Sequence, residues 1–367
     1  LRLNETKNWR EIVAMVNDAA KSAEPGEWIL GRGWHQEKWD DVPSPSVSGY
    51  PVHDLLSQAA PQNPVFLTHA SGHGIIANHY AMELAGISKT TADPPGGSIL
   101  HNANGEPTGV FLENADTLII NRYTEFLGSL STEQITARNK KAFMLDNQGC
   151  LKMGITGFHD AGVSFKEIDF YKEMVDADLL GIRLWVMLEE ENDRLQESIS
   201  SYKIKDYGDN HLTVGGIKRY MDGALGAHGA WLLEPYNDLP GSSGLNTIDL
   251  EVFAESAEIA IQNGFQLCTH AIGDLGNRKT LNIYETTFKK YPKYKDVRWR
   301  IEHAQHLHPD DIGRFTQLGV IPVMQSVHCT SDGPWVEKKL GEKRSRQGAY
   351  VWRDLMNAGS IISNGTD

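Results

Sequence analysis

Four side chains able to hold or move charge close four successive strand-like segments in the second half of the sequence. Lys218 lies near the end of Leu212 to Tyr220, His270 ends FQLCTH, His303 ends VRWRIEH, and Asp367 closes SIISNGTD. Helical stretches separate each segment from the next. A lysine among Val214, Ile217 and Tyr220 is out of place in a buried strand, because burial disfavours its charge and depresses its pKa. A neutral amine is a nucleophile, and with carbon dioxide it gives a carbamate, a two-oxygen anionic ligand able to bridge two metal ions. On that stretch alone the simpler reading is a structural lysine paired with Asp222, just as a lone strand-end histidine is more often a satisfied core residue than a ligand. Four metal-competent groups at strand ends in one βα series shift the balance, since that edge is where a (β/α)8 barrel assembles its chemistry.

The elements that must position these groups are regular from about residue 131 onward. Ser131, with Glu133 and Gln134 close behind, predicts a capped helix. Then come MGITGFHD, the buried strand IRLWVML, the lysine strand, a helix over 250–263 stopped by Gly264, and FQLCTH. A helix through Tyr291 leads to VRWRIEH, a helix after Pro309 leads to GVIPVMQSVH, and 350–357 leads to the last strand. Seven βα-type strands are therefore expected, and closing a barrel needs an eighth. Asp222 is a candidate to hydrogen-bond around the Lys218 loop, and Asp274 either caps the helix after His270 or orients that histidine, capping being the simpler role. Strand alternation sets Glu302 opposite His303, as a structural residue. His159 and Asp160 end the first of the seven strands, where either side chain is a candidate to face the site. His306 and His308 are read as loop or capping residues before Pro309.

Residues 1 to 130 are less regular. Ile12, Met15, Val16 and Ala19 predict a helix that stops at Pro25-Gly26. The Trp-rich WILGRGWHQEKW, a Pro/Ser turn region, the strand-like PVFLTH and a helix over 78–86 follow. Trp28, Trp34 and Trp39 are expected to form core, with Trp34 also a candidate to line a pocket. His73, in ASGHG, is either an exposed loop residue or a substrate contact.

Composition excludes several partner classes. A net charge of -13 leaves no basic surplus to neutralise phosphates, so nucleic acid is not an expected partner. No run of roughly eighteen apolar residues suggests a membrane span. Cys150, Cys268 and Cys329 are an odd, widely spaced set, which indicates neither a disulfide framework nor a Cys-rich zinc knuckle.

The order Lys, His, His, Asp is similar to that of the amidohydrolase superfamily. The phrases GEWILGRGWHQEKW, PVFLTHASGHGIIANHYAMELAGI, GEPTGVFLENA, MDGALGAHGAWLLEPY, THAIGD, RIEHAQ and NGTD resemble its YtcJ-like branch across essentially the whole chain. The resemblance implies an α/β fold, a TIM (β/α)8-type barrel with a large insertion after its first strand. Residues 1–130 would be the insertion over the mouth of the site, and 131–367 strands two to eight. It also implies two divalent metal ions, zinc first among the candidates, with a carbamate on Lys218 between them. His270 and His303 would hold one ion and Asp367 the other. Hydrolysis of a C–N bond other than a peptide bond would proceed by metal-bound hydroxide, Asp367 taking the proton and passing it to the leaving nitrogen.

This sequence departs from the family in lacking the His-x-His pair of the first strand and an accessory β-sandwich. The chain is accordingly expected to be truncated at both ends. His73, His328, Asp222 and Trp34 are the expected substrate contacts, the substrate being a small molecule such as an amide, formamide or cyclic amide with an apolar or aromatic group. A homodimer and a cytoplasmic location are expected. The alternatives are an inactive or single-metal fragment acting as a binding scaffold, or an esterase or lactonase of the same superfamily.

Overall fold

The protein, described as a computed structural model over residues 1–70, 72, 74–95, 97–226, 228–294 and 296–367, divides into two compact units at Asn139 and Lys140. That boundary lies within the helix Thr132–Lys152. Ser131 precedes this helix; its hydroxyl accepts from the Gln134 N–H, and the Gln134 side chain accepts from the Ser131 N–H, a reciprocal cap of the kind its sequence predicts.

In the first unit, Asn8 caps the helix Trp9–Ala20 by accepting from the Glu11 N–H, and Trp9, Ile12 and Val16 form its buried stripe. Five strands follow: β1 (Ile29–Trp34), β2 (Val65–His69), β3 (Gly74–Ala77), β4 (Gly97–His101) and β5 (Pro107–Glu113). They pair in the order β1-β2-β3-β5-β4, with β1 and β2 parallel and the other pairs antiparallel. Trp34, expected to line a pocket or pack as core, is core: it is 1% exposed, stacks on Trp39, and donates its indole N–H to the Leu67 carbonyl at 2.8 Å. His73 lies outside the described residues.

The second unit is built on seven parallel strands in chain order: β6 (Gly157–Val163), β7 (Arg183–Leu188), β8 (Leu212–Tyr220), β9 (Gln266–Ala271), β10 (Arg300–His303), β11 (Ile321–Gln325) and β12 (Ser363–Gly365). A short segment, Ile204–Asp206, pairs antiparallel with β8. The helices Leu250–Asn263 and Pro309–Leu318 end on Gly264 and Gly319, both with positive φ, the backbone that releases a chain from a helix toward its next strand. His308 caps Pro309–Leu318 by accepting from the Asp310 N–H. Ile217, Leu267 and Ile301 point from β8, β9 and β10 into one apolar core with Phe253, Leu281 and Phe315 of the helices. The opposite face of the same strands carries the polar residues. Register sets Lys218 beside Cys268 and Cys268 beside Arg300, then Tyr220 beside His270 and His270 beside Glu302. The unit is thus α/β with a parallel sheet, ordered from β6 to β12. Among the described residues no helix is long and apolar enough to cross a membrane.

Candidate metal centre

His303 is the residue on which the site turns. It has φ +75° and Ala304 φ +41°, so the extended alternation of β10 breaks at its last residue. That break overturns the expectation that Glu302 lies on the far side of the strand from His303. Both are buried and both feel the Lys218 charge: burial raises the Glu302 pKa, with Arg300 and Lys218 pulling it back, and burial lowers that of His303, with Lys218 adding to it. The His303 Nδ1–H donates to the Gln325 side-chain oxygen at 2.8 Å, while the Gln325 amide nitrogen donates to the Val323 carbonyl at 3.2 Å. An oxygen can only accept here, so the proton sits on Nδ1 and the Nε2 lone pair is left for a ligand. Burial holds the His303 pKa down to about 4, partly offset by Asp367.

His270 and His303 approach with ring centroids 4.5 Å apart. Burial, with His303 and Lys218 adding to it, keeps the His270 pKa well below the usual histidine value, which keeps its imidazole neutral and able to coordinate. His328 sits in the first turn of the helix Ser326–Leu340, not in the strand its sequence suggested. Its ring stacks 5.6 Å from that of His303, and its Nε2 is 3.7 Å from Asp367 Oδ2. One ligand atom each from His303, His328 and Asp367 fall within 4.8 Å of one another. Expected as a substrate contact, His328 joins the ligand-type residues.

Lys218 is 5% exposed, its Nζ 4.7 Å from the centroid of the Tyr220 ring. Burial lowers its pKa against the pull of Glu302, Cys268 and Asp367. The charge that Glu302 meets directly is Arg300, whose Nε donates to Glu302 Oε1 at 2.8 Å. The same guanidinium lies 3.1 Å from His159 Nδ1 and over the Trp185 ring at 4.8 Å. His159 therefore belongs to the inner face with Lys218, whereas Asp160 points outward and accepts from the Tyr171 hydroxyl at 2.6 Å.

Asp222 does not pair with Lys218, nor is it placed to meet a substrate. It is 2% exposed, and its carboxylate accepts from the backbone N–H groups of Trp231, Ile272 and Gly273 at 2.7 to 2.9 Å. Burial pushes its carboxyl up to about 7, against the three N–H groups that favour the anion. Asp274 accepts from the N–H groups of Leu233 and Leu275, so it secures a loop as well as its own helix start.

Two contributors escaped sequence reading in these roles. Tyr220 covers Lys218 and stands 5.7 Å from the His270 ring; its position two residues beyond Lys218 on one strand was the available signal. Gln325 orients His303, a contact across two strands that spacing alone does not reveal.

The donor set fits a divalent ion: neutral imidazoles, a carboxylate, and a His303 Nε2 lone pair left over by the bond to Gln325. Comparisons with known proteins accord with this chemistry. The Amidohydrolase family profile matches residues 1–367. Curated relatives include Protein LONG AFTER FAR-RED 3 of Arabidopsis thaliana, 30% identical over 97% of this chain and 60% of that protein. YtcJ of Bacillus subtilis is 28% identical over 97% of this chain and 64% of its own length. An N-substituted formamide deformylase of Arthrobacter pascens is 24% identical over the same two shares, 97% and 64%. Among solved structures, a metal-dependent hydrolase from Pyrococcus horikoshii aligns with TM-score 0.72 and 24% identity over 100% of this chain and 66% of its own, a likeness of fold. The chain thus spans less than two thirds of the length of each of these proteins, and it belongs to the amidohydrolase family.

Proposed function

We propose that this chain carries the catalytic barrel of a metal-dependent amidohydrolase that cleaves a C–N bond other than a peptide bond in a small molecule. The observation that carries the reading is the meeting of two strand-end imidazoles, His328 and Asp367 on the edge of a parallel sheet whose inner face bears a buried lysine. The relative named as a formamide deformylase supports the bond class. In this reading β6 to β12 are strands two to eight of a (β/α)8 barrel.

His270 and His303 would hold one ion and Asp367 another, with Lys218 as a carbamate between them. A divalent ion bound there, zinc by its taste for imidazole and carboxylate, supplies Lewis acidity toward a carbonyl and lowers the pKa of water. The protein's own groups do the rest. Gln325 holds the His303 proton on Nδ1. Asp367 has its side chain 57% exposed beside His328 Nε2, so it can receive a proton from water and return it to a leaving nitrogen, with His328 stabilising it in between. Turning the Lys218 amine into a carbamate sets a second anion near Glu302, and the Arg300 guanidinium paired with Glu302 is the cation that offsets it.

A panel of N-formyl and N-acyl amines, beside matched esters and lactones, tests the reading. Amine release that needs zinc, stops with a chelator and returns on readdition is the expected result. Cleavage of esters or lactones without amides would replace the bond assignment. Zinc-loaded protein inert toward the whole panel would contradict the hydrolase reading.

A further inference from the structure

The loop that leaves β8 and the loop that leaves β9 are joined by one carboxylate, and what that carboxylate faces has a chemical consequence. Asp222 Oδ2 accepts from the N–H groups of Trp231 and Gly273 at 2.9 and 2.7 Å, and Oδ1 accepts from that of Ile272 at 2.9 Å. The backbone adds a further tie, the Met221 N–H donating to the His270 carbonyl at 2.9 Å. The helix Asp274–Lys290 closes the remaining side: a Cβ on Gly276 would lie 2.5 Å from Asp222 Oδ2, so only glycine lets the helix pack this close. The carboxylate is thereby fixed from three directions, and its Oδ1 lies 3.6 Å from His270 Nε2. That nitrogen is sealed from solvent and makes no hydrogen bond, while the Gly223 backbone also favours a proton on the ring.

We propose that Asp222 is a positioning residue for His270, receiving the Nε2 proton and so holding the imidazole in the tautomer whose Nδ1 lone pair is free to bind a ligand. Each of the three hydrogen bonds that Asp222 makes is with a donor, so Nε2–H would be a fourth once the 3.6 Å separation closes to bonding distance. The other tautomer would set the Nε2 lone pair against that oxygen in a sealed site, two acceptors with no proton between them unless Asp222 itself takes one, which its three N–H donors oppose. His303 is held by the same logic from the opposite ring atom, its Nδ1–H given to Gln325. The two imidazoles would then offer different nitrogens to a shared centre, each oriented by its own acceptor. The consequence for metal affinity rests on the metal-centre reading, whereas the tautomer is a property of the metal-free protein.

Two-bond proton–nitrogen correlation spectra of the 15N-labelled, metal-free protein read the tautomer directly, with His270 assigned by difference from His270→Asn. The expected pattern is a protonated Nε2 and an unprotonated Nδ1 at neutral pH; a protonated Nδ1 overturns the inference. Asp222→Asn, with zinc as the probe in equilibrium dialysis, is expected to bind about 10 to 100-fold more weakly and to move His270 toward the Nδ1–H form. Unchanged zinc affinity in a folded variant overturns the positioning role. If that variant does not fold, the wild-type tautomer still decides. A protonated Nε2 in wild-type protein that takes up no zinc would sink the metal-centre reading while upholding the Asp222 contact.

Discussion

Both units bring imidazoles to strand ends, and among the described residues it is the second that gathers a group of three metal-competent side chains. In the first unit His69, at the end of β2, packs 4.6 Å from His35 and 4.8 Å from Trp34. In the second, His270 and His303 pack 4.5 Å apart, a nearly identical approach. The difference lies in strand direction. Beyond β1 and β2 the first sheet is antiparallel, so successive strand ends alternate between opposite edges and each edge gathers few side chains. The second sheet is parallel throughout its seven-strand order, so the C-terminal ends of β8 to β12 share one edge. Among the described residues, the group of three metal-competent side chains is His303, His328 and Asp367.

The largest effect that would sharpen the comparison comes from the ligands themselves. His270→Ala with His303→Ala is expected to abolish zinc uptake and bring hydrolysis to background, whereas His69→Ala leaves zinc uptake in place, both read by metal analysis of dialysed protein. Lys218→Met keeps the apolar stem and removes the amine. Metal content should fall from about two ions to about one and lose its dependence on bicarbonate, as expected when a bridging ligand is removed. Gln325→Leu keeps the volume but frees the His303 tautomer, and zinc affinity should weaken by roughly tenfold in a dialysis titration.

The smallest effect concerns stability alone. His306 is buried, its Nδ1 lacks a partner, and burial holds its pKa down to about 3. Its folded pKa lies below the unfolded value near 6.5, so the unfolded chain takes up the proton first. Its contribution is full above about pH 6.5 and is lost as pH falls toward 3. Asp222, pushed up to about 7, acts in the opposite sense, so the useful readout is a difference. His306→Gln should gain on wild type by up to about 1.4 kcal/mol per pH unit on acidification through that window, measured by denaturant unfolding. Parallel pH profiles for the two proteins would remove His306 from the account.

Much of the second unit was legible in sequence because its signals are local. Apolar runs flanked by helices marked the seven strands, and Lys218, His270 and His303 stood out as polar residues at apolar strand ends. What escaped was non-local or broke a period. Glu302 was set on the wrong face because alternation assumes extended backbone through His303, where φ is in fact positive. His328 was read as a strand end, but the strand stops at Gln325 and a helix begins. Asp222 looked available to substrate because its three N–H partners come from residues 9, 50 and 51 positions away, which no spacing rule encodes. In the first unit PVFLTH formed its strand and Asn78 its helix cap, and Trp34 went to the core.

Zinc binding by equilibrium dialysis tests the central claim most directly, with wild type set beside His270→Ala/His303→Ala and His35→Ala/His69→Ala. Binding that is lost in the first pair and retained in the second is the predicted result. Binding retained when His270 and His303 are gone would contradict the assignment of the centre to the edge of the parallel sheet.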